Sequence, residues 1–227
     1  MKVDLEFSKY ANYYGLYNVI QEKVAVKLLS HIQTKPQNIL DLGCGRGAIN
    51  TKIDWNYKHF VGVDFAQGML DLHPKAQNIK CIYGDFNDPS LYKMLRTFDF
   101  DYIVSASALQ WADDLENVFR EIRTFHAPIA LAIFTSGTFQ TLHKVAGLQP
   151  LLRSRDELYK LQKKYFNVNF ETVTYRLEFE NTREMFKYIK KSGVSGSRRE
   201  LSYKQTKQLM LEYPLNYLEF EVVFIYS

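Results

Sequence analysis

The sequence predicts an α/β protein built on an open, mostly parallel sheet. Short apolar segments typical of buried strands alternate with segments whose apolar residues recur at helical spacing. A glycine-rich turn follows the first strand, and an acidic residue stands at or near the end of each of the first three. In an open α/β sheet the ligand binds beyond the carboxyl ends of the strands, so these residues are candidates for contacting it.

Each predicted element follows from its own pattern of apolar residues and turn signals. Strands are predicted at 38–42, 59–64, 79–85, 100–107, 128–134, 168–179 and 217–226. Helices are predicted at 17–33, 113–125, 138–147, 154–164, 182–192 and 202–212. Asp113 and Glu116 are expected to form a capping box, Met185, Phe186 and Ile189 to face inward, and 192–197 to form a loop.

Composition limits the class of protein. The chain has 227 residues, of which 46% are hydrophobic and 15% aromatic, and this supports a packed core. It has no apolar run of the ~20 residues needed to cross a bilayer and no recognisable signal sequence, so a cytoplasmic protein without a membrane partner is expected. Its two cysteines, Cys44 and Cys81, have no neighbours at metal-ligand spacing, and no metal site is expected.

The glycine turn lies in the stretch ILDLGCGRG, residues 39–47. Its spacing fits both a dinucleotide-binding turn and the turn that binds S-adenosylmethionine, and such a match is weak in isolation. Asp41 separates the two, because a carboxylate there repels a pyrophosphate. The same carboxylate suits the ammonium and sulfonium groups of S-adenosylmethionine, so Asp41 favours the methyl donor.

Two further acidic residues agree with this ligand. Asp64 follows Gly47 by 17 residues, at the tip of the second strand, where its carboxylate can accept hydrogen bonds from two ribose hydroxyls. Asp85 ends the third strand segment, where it can accept from an adenine amino group, with Phe86 beside the ring. An Asp that caps a helix or opens a turn is the alternative for each position.

The segments DLGCGRG, VGVD, GDF and FDYIVSASALQW resemble the class I S-adenosylmethionine-dependent methyltransferases over residues 36–135. The resemblance implies a Rossmann-like, seven-stranded, mostly parallel sheet with a C-terminal antiparallel hairpin and a helical cap. It divides a single domain into a lid (1–35), a donor-binding core (36–135) and a substrate cap with the hairpin (136–227). The implied donor-binding residues are Tyr14, Asp41, Gly43, Cys44, Gly45, Gly47, Asp64, Phe65, Met69, Asp85, Phe86 and Ser105.

Further segments are similar to one subgroup, the malonyl-acyl-carrier-protein O-methyltransferases of biotin synthesis. These are FSKYANYYG, SALQW, GTFQTLH and YPLNY, and with them the resemblance covers nearly the whole chain. Tyr14 matches a tyrosine expected to close over the donor, and Lys190, Gly193 and Tyr217 match later motif positions. Lys9 stands where the subgroup usually has Arg, and the segment 140–180 is shorter than usual.

The subgroup's reaction is methylation of the free carboxylate of a malonyl thioester on acyl carrier protein. The resemblance implies substrate-facing roles for Tyr14, Gln110, Lys190 and Tyr217, with Trp111 a candidate at the same strand tip. Lys190 is the favoured group for the acceptor carboxylate, and Arg153 and Arg155 are its rivals. A carboxylate of pKa about 4 is already ionised at neutral pH, so no general base is required.

Charge is unevenly distributed along the chain. The net charge is +4, and the excess of basic residues lies within 138–227, concentrated at 183–207. This basic segment is expected to dock the acidic carrier protein. A small-molecule carboxylate methyltransferase, acting on aconitate-like acids, is the alternative. A nucleic-acid partner is not expected, because no RNA-binding module or stacking motif is present, and the N/D-P-P-Y/F signature of amino-group methylation is absent.

Overall fold

The computed structural model describes residues 18–192 and 202–227. Its centre is a seven-stranded sheet in the order β3-β2-β1-β4-β5-β7-β6. The strands β1 to β5 pair in parallel, and β7 pairs antiparallel with both β5 and β6. The strands are β1 Asn38–Leu42, β2 His59–Asp64, β3 Ile79–Tyr83, β4 Tyr102–Ala106, β5 Ile129–Phe134, β6 Asn169–Glu178 and β7 Tyr217–Tyr226. The predicted fold class is therefore confirmed.

Helices cover both faces of this sheet. Those described are α1 Val19–Ser30, α2 Gln67–Asp71, α3 Pro89–Leu95, α4 Leu115–Arg123, α5 Gln140–Ala146, α6 Arg155–Tyr165, α7 Thr182–Ser192 and α8 Tyr203–Glu212. Two short 3-10 turns lie at Asn50–Lys52 and Leu109–Trp111. Tyr14, Lys9, Gly193 and the rest of the predicted 192–197 loop after Ser192 lie outside the described residues, as does the side chain of Lys190 on α7.

The capping box predicted at Asp113 and Glu116 is wrong by one residue. Helix α4 begins at Leu115, and Asp114 is its N-cap, accepting a hydrogen bond from the Asn117 amide at 3.0 Å. Glu116 instead accepts a hydrogen bond from the Tyr165 hydroxyl at 2.8 Å and pairs with Lys164, both on α6. The third residue after the N-cap is thus Asn117, whose backbone amide donates to the Asp114 side chain. Glu116 instead links α4 to α6.

The strands alternate their side chains between two apolar cores. On one face Ile39 packs in a core with α1, α5, α7 and α8, and on the other Leu40 and Leu42 pack in a core with α3, α4 and α6. Burial on both faces explains why the central strands are almost continuously apolar. In α7 Met185 is fully buried with Phe186 and Ile189 packed at the same core, as predicted, and Tyr188 is buried beside them.

The carboxyl ends of β1, β2 and β4 meet at one edge of the sheet, and the turns that leave these strands form the floor of the site. Because β7 runs antiparallel to β5, its first residue, Tyr217, lies beyond the same edge. Among residues 18–192 and 202–227, no helix is long and apolar enough to span a membrane.

Candidate functional site

The glycine turn after β1 is held in a left-handed conformation by its contacts. Gly43 has a φ of 77°, and a Cβ atom there would lie 2.2 Å from the Cβ of Ala108. Gly45 also has a positive φ, of 52°, but a Cβ atom on it would meet nothing within 4 Å. The amides of Gly43 and Cys44 both donate to the Val63 carbonyl, which ties the turn to β2. The turn therefore presents bare backbone at Gly45 to a ligand.

Asp64 lies at the end of β2 and braces this turn. Its carboxylate accepts hydrogen bonds from the Gly45 amide at 2.9 Å and from the Ala66 amide at 2.8 Å. Burial raises the pKa of Asp64, and the hydrogen bonds from these backbone amides lower it in part. The two bonds fix the direction of the carboxylate before any ligand binds.

Asp41 is the most unusual group at the site. It is 1% exposed, and both carboxylate oxygens lack a hydrogen-bond partner among the described residues. Burial raises its pKa well above the ordinary value, and the nearby charge of Asp64 raises it further. A buried carboxylate without a partner is costly, so this arrangement fits a ligand that brings a positive charge and N–H donors.

The turn, Asp41 and Asp64 open onto a cleft at the carboxyl edge of the sheet. The cleft encloses about 790 Å³ of space between atoms, with the open solvent at its mouth included. Its lining residues come from α1, the glycine turn, the ends of β2 and β4, and the segment after β3. They are Gln21, Asp41, Gly43, Cys44, Gly45, Arg46, Ala48, Ile49, Asp64, Phe65, Met69, Phe86, Ala106, Ser107, Ala108 and Trp111.

Most residues predicted to bind the donor line this cleft. They are Asp41, Gly43, Cys44, Gly45, Asp64, Phe65, Met69 and Phe86. Gly47 lies behind the turn instead, where a Cβ atom would come within 2.7 Å of the Pro74 ring. Its positive φ of 88° shapes the turn, and its contact with the donor stays a prediction.

Asp85 and Ser105 do not line the cleft, and their contact with the donor stays a prediction. β3 ends at Tyr83, and the Asp85 carboxylate accepts from the amide and side chain of Asn87, at 2.8 and 2.9 Å. The Ser105 hydroxyl is fully buried and donates to the Leu42 carbonyl at 2.6 Å, linking β4 to β1. Ser107, which lies directly after β4 with a positive φ of 61°, lines the cleft.

Seven lining residues are not predicted from the sequence: Gln21, Arg46, Ala48, Ile49, Ala106, Ser107 and Ala108. For Gln21 a signal existed. It lies three, four and seven residues before Val24, Ala25 and Leu28, on the apolar face of α1, where a polar residue needs a reason. The others follow glycine or a strand end and carry no comparable signal.

Among the residues predicted to face the acceptor, the structure describes the side chains of Gln110, Trp111 and Tyr217. Trp111 lines the cleft. Gln110 is 9% exposed, its Nε2 donates to the Ser107 carbonyl at 2.7 Å, and its Oε1 is buried without a partner in the described part of the chain. The Tyr217 ring lies 4.9 Å from the Arg176 guanidinium, away from the cleft lining.

The two arginine rivals have different surroundings. Arg153 donates from Nη2 to the carbonyls of Ala112 and Asp113, at 2.9 and 3.3 Å, so its guanidinium holds backbone. Arg155 is exposed and pairs with Asp156 at 3.3 Å. Over the described ranges there is no group of three His, Cys, Asp or Glu side chains that could hold a metal ion.

Comparison with known proteins shows similarity to methyltransferases, as the sequence motifs of residues 36–135 predict. A family described as a methyltransferase domain matches residues 39–128. The chain is 26% identical over 220 residues to the malonyl-[acyl-carrier protein] O-methyltransferase of Bacillus cereus, covering 86% of this chain and 81% of that protein. It is 29% identical over 245 residues to the protein of the same name from Halalkalibacterium halodurans, covering 92% and 88%.

Solved structures share the fold. A putative methyltransferase from Bacillus halodurans superposes with a TM-score of 0.60 at 11% identity, over 89% of this chain and 96% of that one. The phosphoethanolamine N-methyltransferase 2 of Haemonchus contortus, in complex with S-adenosyl-L-methionine, has a TM-score of 0.54 at 15% identity, over 88% and 52%.

Proposed function

We propose that this chain, a class I S-adenosylmethionine-dependent methyltransferase, methylates the free carboxylate of a malonyl thioester carried by an acyl carrier protein. The observation that carries the proposal is the similarity to proteins of that name over more than four fifths of both chains. A role early in biotin synthesis follows from the same similarity. The ester would mask the charge of the malonyl group, so that chain-extending enzymes accept it as a primer.

In this proposal two acidic residues bind the polar groups of the donor, and two apolar side chains bind its adenine ring. Asp64, whose direction is fixed by the Gly45 and Ala66 amides, would accept from the ribose hydroxyls. Asp41 would meet the positive charge of the amino-acid end. Phe86 and Met69, both buried at the cleft, would flank the adenine ring.

The proposed chemistry needs alignment and exclusion of water rather than a proton transfer. S-adenosylmethionine supplies a methyl group made electrophilic by the sulfonium. The acceptor carboxylate is ionised near neutral pH, with a pKa of about 4, and is itself the nucleophile. The chain's contribution would be to hold that oxygen in line with the methyl group in a dry pocket, with Trp111 and Gln110 at the acceptor side.

Tyr14, Lys190 and Tyr217 remain candidates for the acceptor. Lys190 lies on α7, and Tyr217 lies beyond the carboxyl edge from which the cleft opens. Arg153 is a weaker candidate for the acceptor carboxylate, because its guanidinium already serves two backbone carbonyls.

A mass-resolved transfer assay tests the proposal. S-adenosylmethionine is supplied with malonyl-acyl carrier protein and, in parallel, with free malonate and free aconitate. We expect a gain of one methyl group on the carrier-bound malonyl group. Asp64→Ala should lower the rate ~100-fold or more, since it removes a buried charged acceptor from the cleft. Asp71→Ala, at an exposed position on α2, is the matched control and should retain the wild-type rate.

The assay separates the competing substrates. Methylation of the free acids alone would reject the carrier-bound substrate and assign a small-molecule carboxylate methyltransferase. Binding of the donor without transfer to any of the three acids would reject carboxylate methylation while leaving the methyltransferase fold in place.

A further inference from the structure

Gln21 is a polar residue on the buried, otherwise apolar face of α1. Its neighbours on the same helix face, Ile20, Val24, Ala25 and Leu28, are all fully buried. Gln21 itself is 9% exposed and lines the cleft, and its Oε1 is buried without a hydrogen-bond partner among the described residues. A buried amide oxygen without a donor is costly, so a ligand that supplies one would remove that cost.

The position of α1 indicates which end of the methyl donor the Gln21 side chain would contact. α1 packs against β4, β5 and β7 and against the 3-10 turn at 50–52. In the sheet these strands lie on one side of β1, whereas Asp64, Phe65 and Met69 follow β2 on its other side. Gln21 therefore approaches the cleft from the side opposite to the ribose acid.

The unpartnered oxygens that line the cleft point to one chemical group. Asp41 contributes two buried carboxylate oxygens, Gln21 one amide oxygen and Ser107 one hydroxyl oxygen. The amide oxygen and the ionised carboxylate accept hydrogen bonds only, whereas the hydroxyl also donates. A primary ammonium carries three N–H donors and a positive charge. It donates to a carboxylate and an amide oxygen together and also neutralises the carboxylate charge, whereas a hydroxyl has a single donor and a neutral amide carries no charge.

We propose that the Gln21 side chain binds the α-ammonium group of the methyl donor together with Asp41, and so selects ligands that carry a free amino group. The proposal extends the donor site beyond the glycine turn to the helix that precedes β1. It depends on the donor alone and is independent of which acceptor is methylated.

A series of three nucleosides tests this with Gln21→Met, a substitution of similar volume that lacks the amide. S-adenosylhomocysteine carries the whole amino-acid end, its des-amino analogue lacks only the amino group, and 5′-methylthioadenosine lacks the amino-acid end altogether. Dissociation constants are measured by calorimetry for each. We expect ~10-fold weaker binding of S-adenosylhomocysteine, the usual effect of losing a hydrogen bond to a charged group. Binding of the other two nucleosides should be unchanged within error.

Two further variants serve as a control for the substitution itself and as a second test of the Gln21 amide. Gln33→Met, at an exposed position after α1, is the matched control and should bind all three nucleosides as the wild type does. Gln21→Asn keeps the amide but withdraws it by one methylene, and should weaken binding of S-adenosylhomocysteine alone. Thermal unfolding of each variant shows whether the fold is intact, and Gln21→Asn serves as the test if Gln21→Met does not fold.

The outcomes are distinct. Equal weakening of S-adenosylhomocysteine and its des-amino analogue would overturn the proposal by assigning Gln21 to the donor's carboxylate. Equal weakening of all three nucleosides would overturn it in favour of a packing role. No change for any of them would show that Gln21 does not contact the ligand. None of these results depends on the malonyl carrier, so failure of the proposed reaction leaves this test valid.

Discussion

At the scale of single residues, the site depends on a carboxylate that folding alone leaves unsatisfied. Asp41 is buried beside Asp64, and both of its oxygens lack partners within the described chain. Its pKa is raised because burial and the Asp64 charge both disfavour ionisation. A group with a raised pKa in the folded state binds its proton more tightly there than in the unfolded chain. The buried Asp41 carboxylate thus lowers the stability of the ligand-free fold, and we expect it to raise the affinity for a cationic ligand.

Asp41→Asn should reveal this cost through pH. Between the ordinary and the raised pKa the folded protein holds a proton that the unfolded chain has lost, so Asp41 makes the protein less stable as pH rises. The slope is about 1.4 kcal/mol for each pH unit within that window. An Asn at this position does not titrate, so the advantage of Asp41→Asn in thermal unfolding of the ligand-free protein should increase with pH.

The same variant should lose affinity for S-adenosylhomocysteine, because a neutral amide replaces the partner of the ammonium. Asp71→Asn, at the exposed position on α2, should change neither the pH dependence of unfolding nor the affinity. A difference in unfolding temperature between Asp41→Asn and the wild type that stays constant with pH would contradict the raised pKa.

At the scale of elements, Arg153 joins three segments at the carboxyl edge. Its guanidinium donates to the carbonyls of Ala112 and Asp113, directly after the 3-10 turn that carries Gln110 and Trp111. Its own carbonyl accepts from the amide of Ser136, two residues after the end of β5. The segment that follows Trp111, a residue of the cleft lining, is therefore held in place by a residue just before α6.

Arg153→Met should lower the free energy of unfolding by about 1–3 kcal/mol, because two carbonyls lose a charged donor. Arg155→Met is a close control, since Arg155 lies two residues away but is exposed and pairs with its neighbour Asp156. Its effect should stay within about 0.5 kcal/mol. Denaturant unfolding of both variants measures the difference, and equal effects would show that the bridge does not stabilise the fold.

At the scale of the whole molecule, the basic residues of α7 and α8 form an exposed surface. Helices α7 and α8 pack against each other and carry the exposed side chains of Arg183, Lys187, Lys204 and Lys207. We propose that this surface, with the remainder of the basic 183–207 segment, docks the acidic carrier protein. Complementary charge of this kind acts mainly on the rate of encounter and weakens as salt rises.

Lys204→Glu combined with Lys207→Glu tests the docking surface. We expect the KM for malonyl-acyl carrier protein to rise ~10-fold at low salt, because the charge reversal opposes encounter. The rate with a malonyl thioester that lacks the carrier should stay the same. Lys58→Glu with Lys93→Glu makes the same change in net charge at exposed positions elsewhere. An equal rise in KM for both pairs would assign the effect to net charge and reject a specific surface.

Much of this architecture is already determined by the sequence, because its signals are local. Apolar runs with β-branched residues predict the five parallel strands, and the acids at their ends predict the edge where the site lies. The three closely spaced glycines predict a turn that only residues tolerant of positive φ adopt, as Gly43 shows. Asp41 and Asp64 were found from such short-range patterns, and both line the cleft.

Only the tertiary structure decides which side chains converge on the cleft. Gln21 comes from a helix that packs across the sheet, and no local pattern states that its side chain lines the cleft. Ser105 and Asp85 lie close in sequence to residues that line the cleft. The Ser105 hydroxyl donates to the buried Leu42 carbonyl, and the Asp85 carboxylate accepts from Asn87. Local periodicity specifies elements and faces. Competition among nearby hydrogen-bond partners, which depends on packing, determines which polar groups remain available to a ligand.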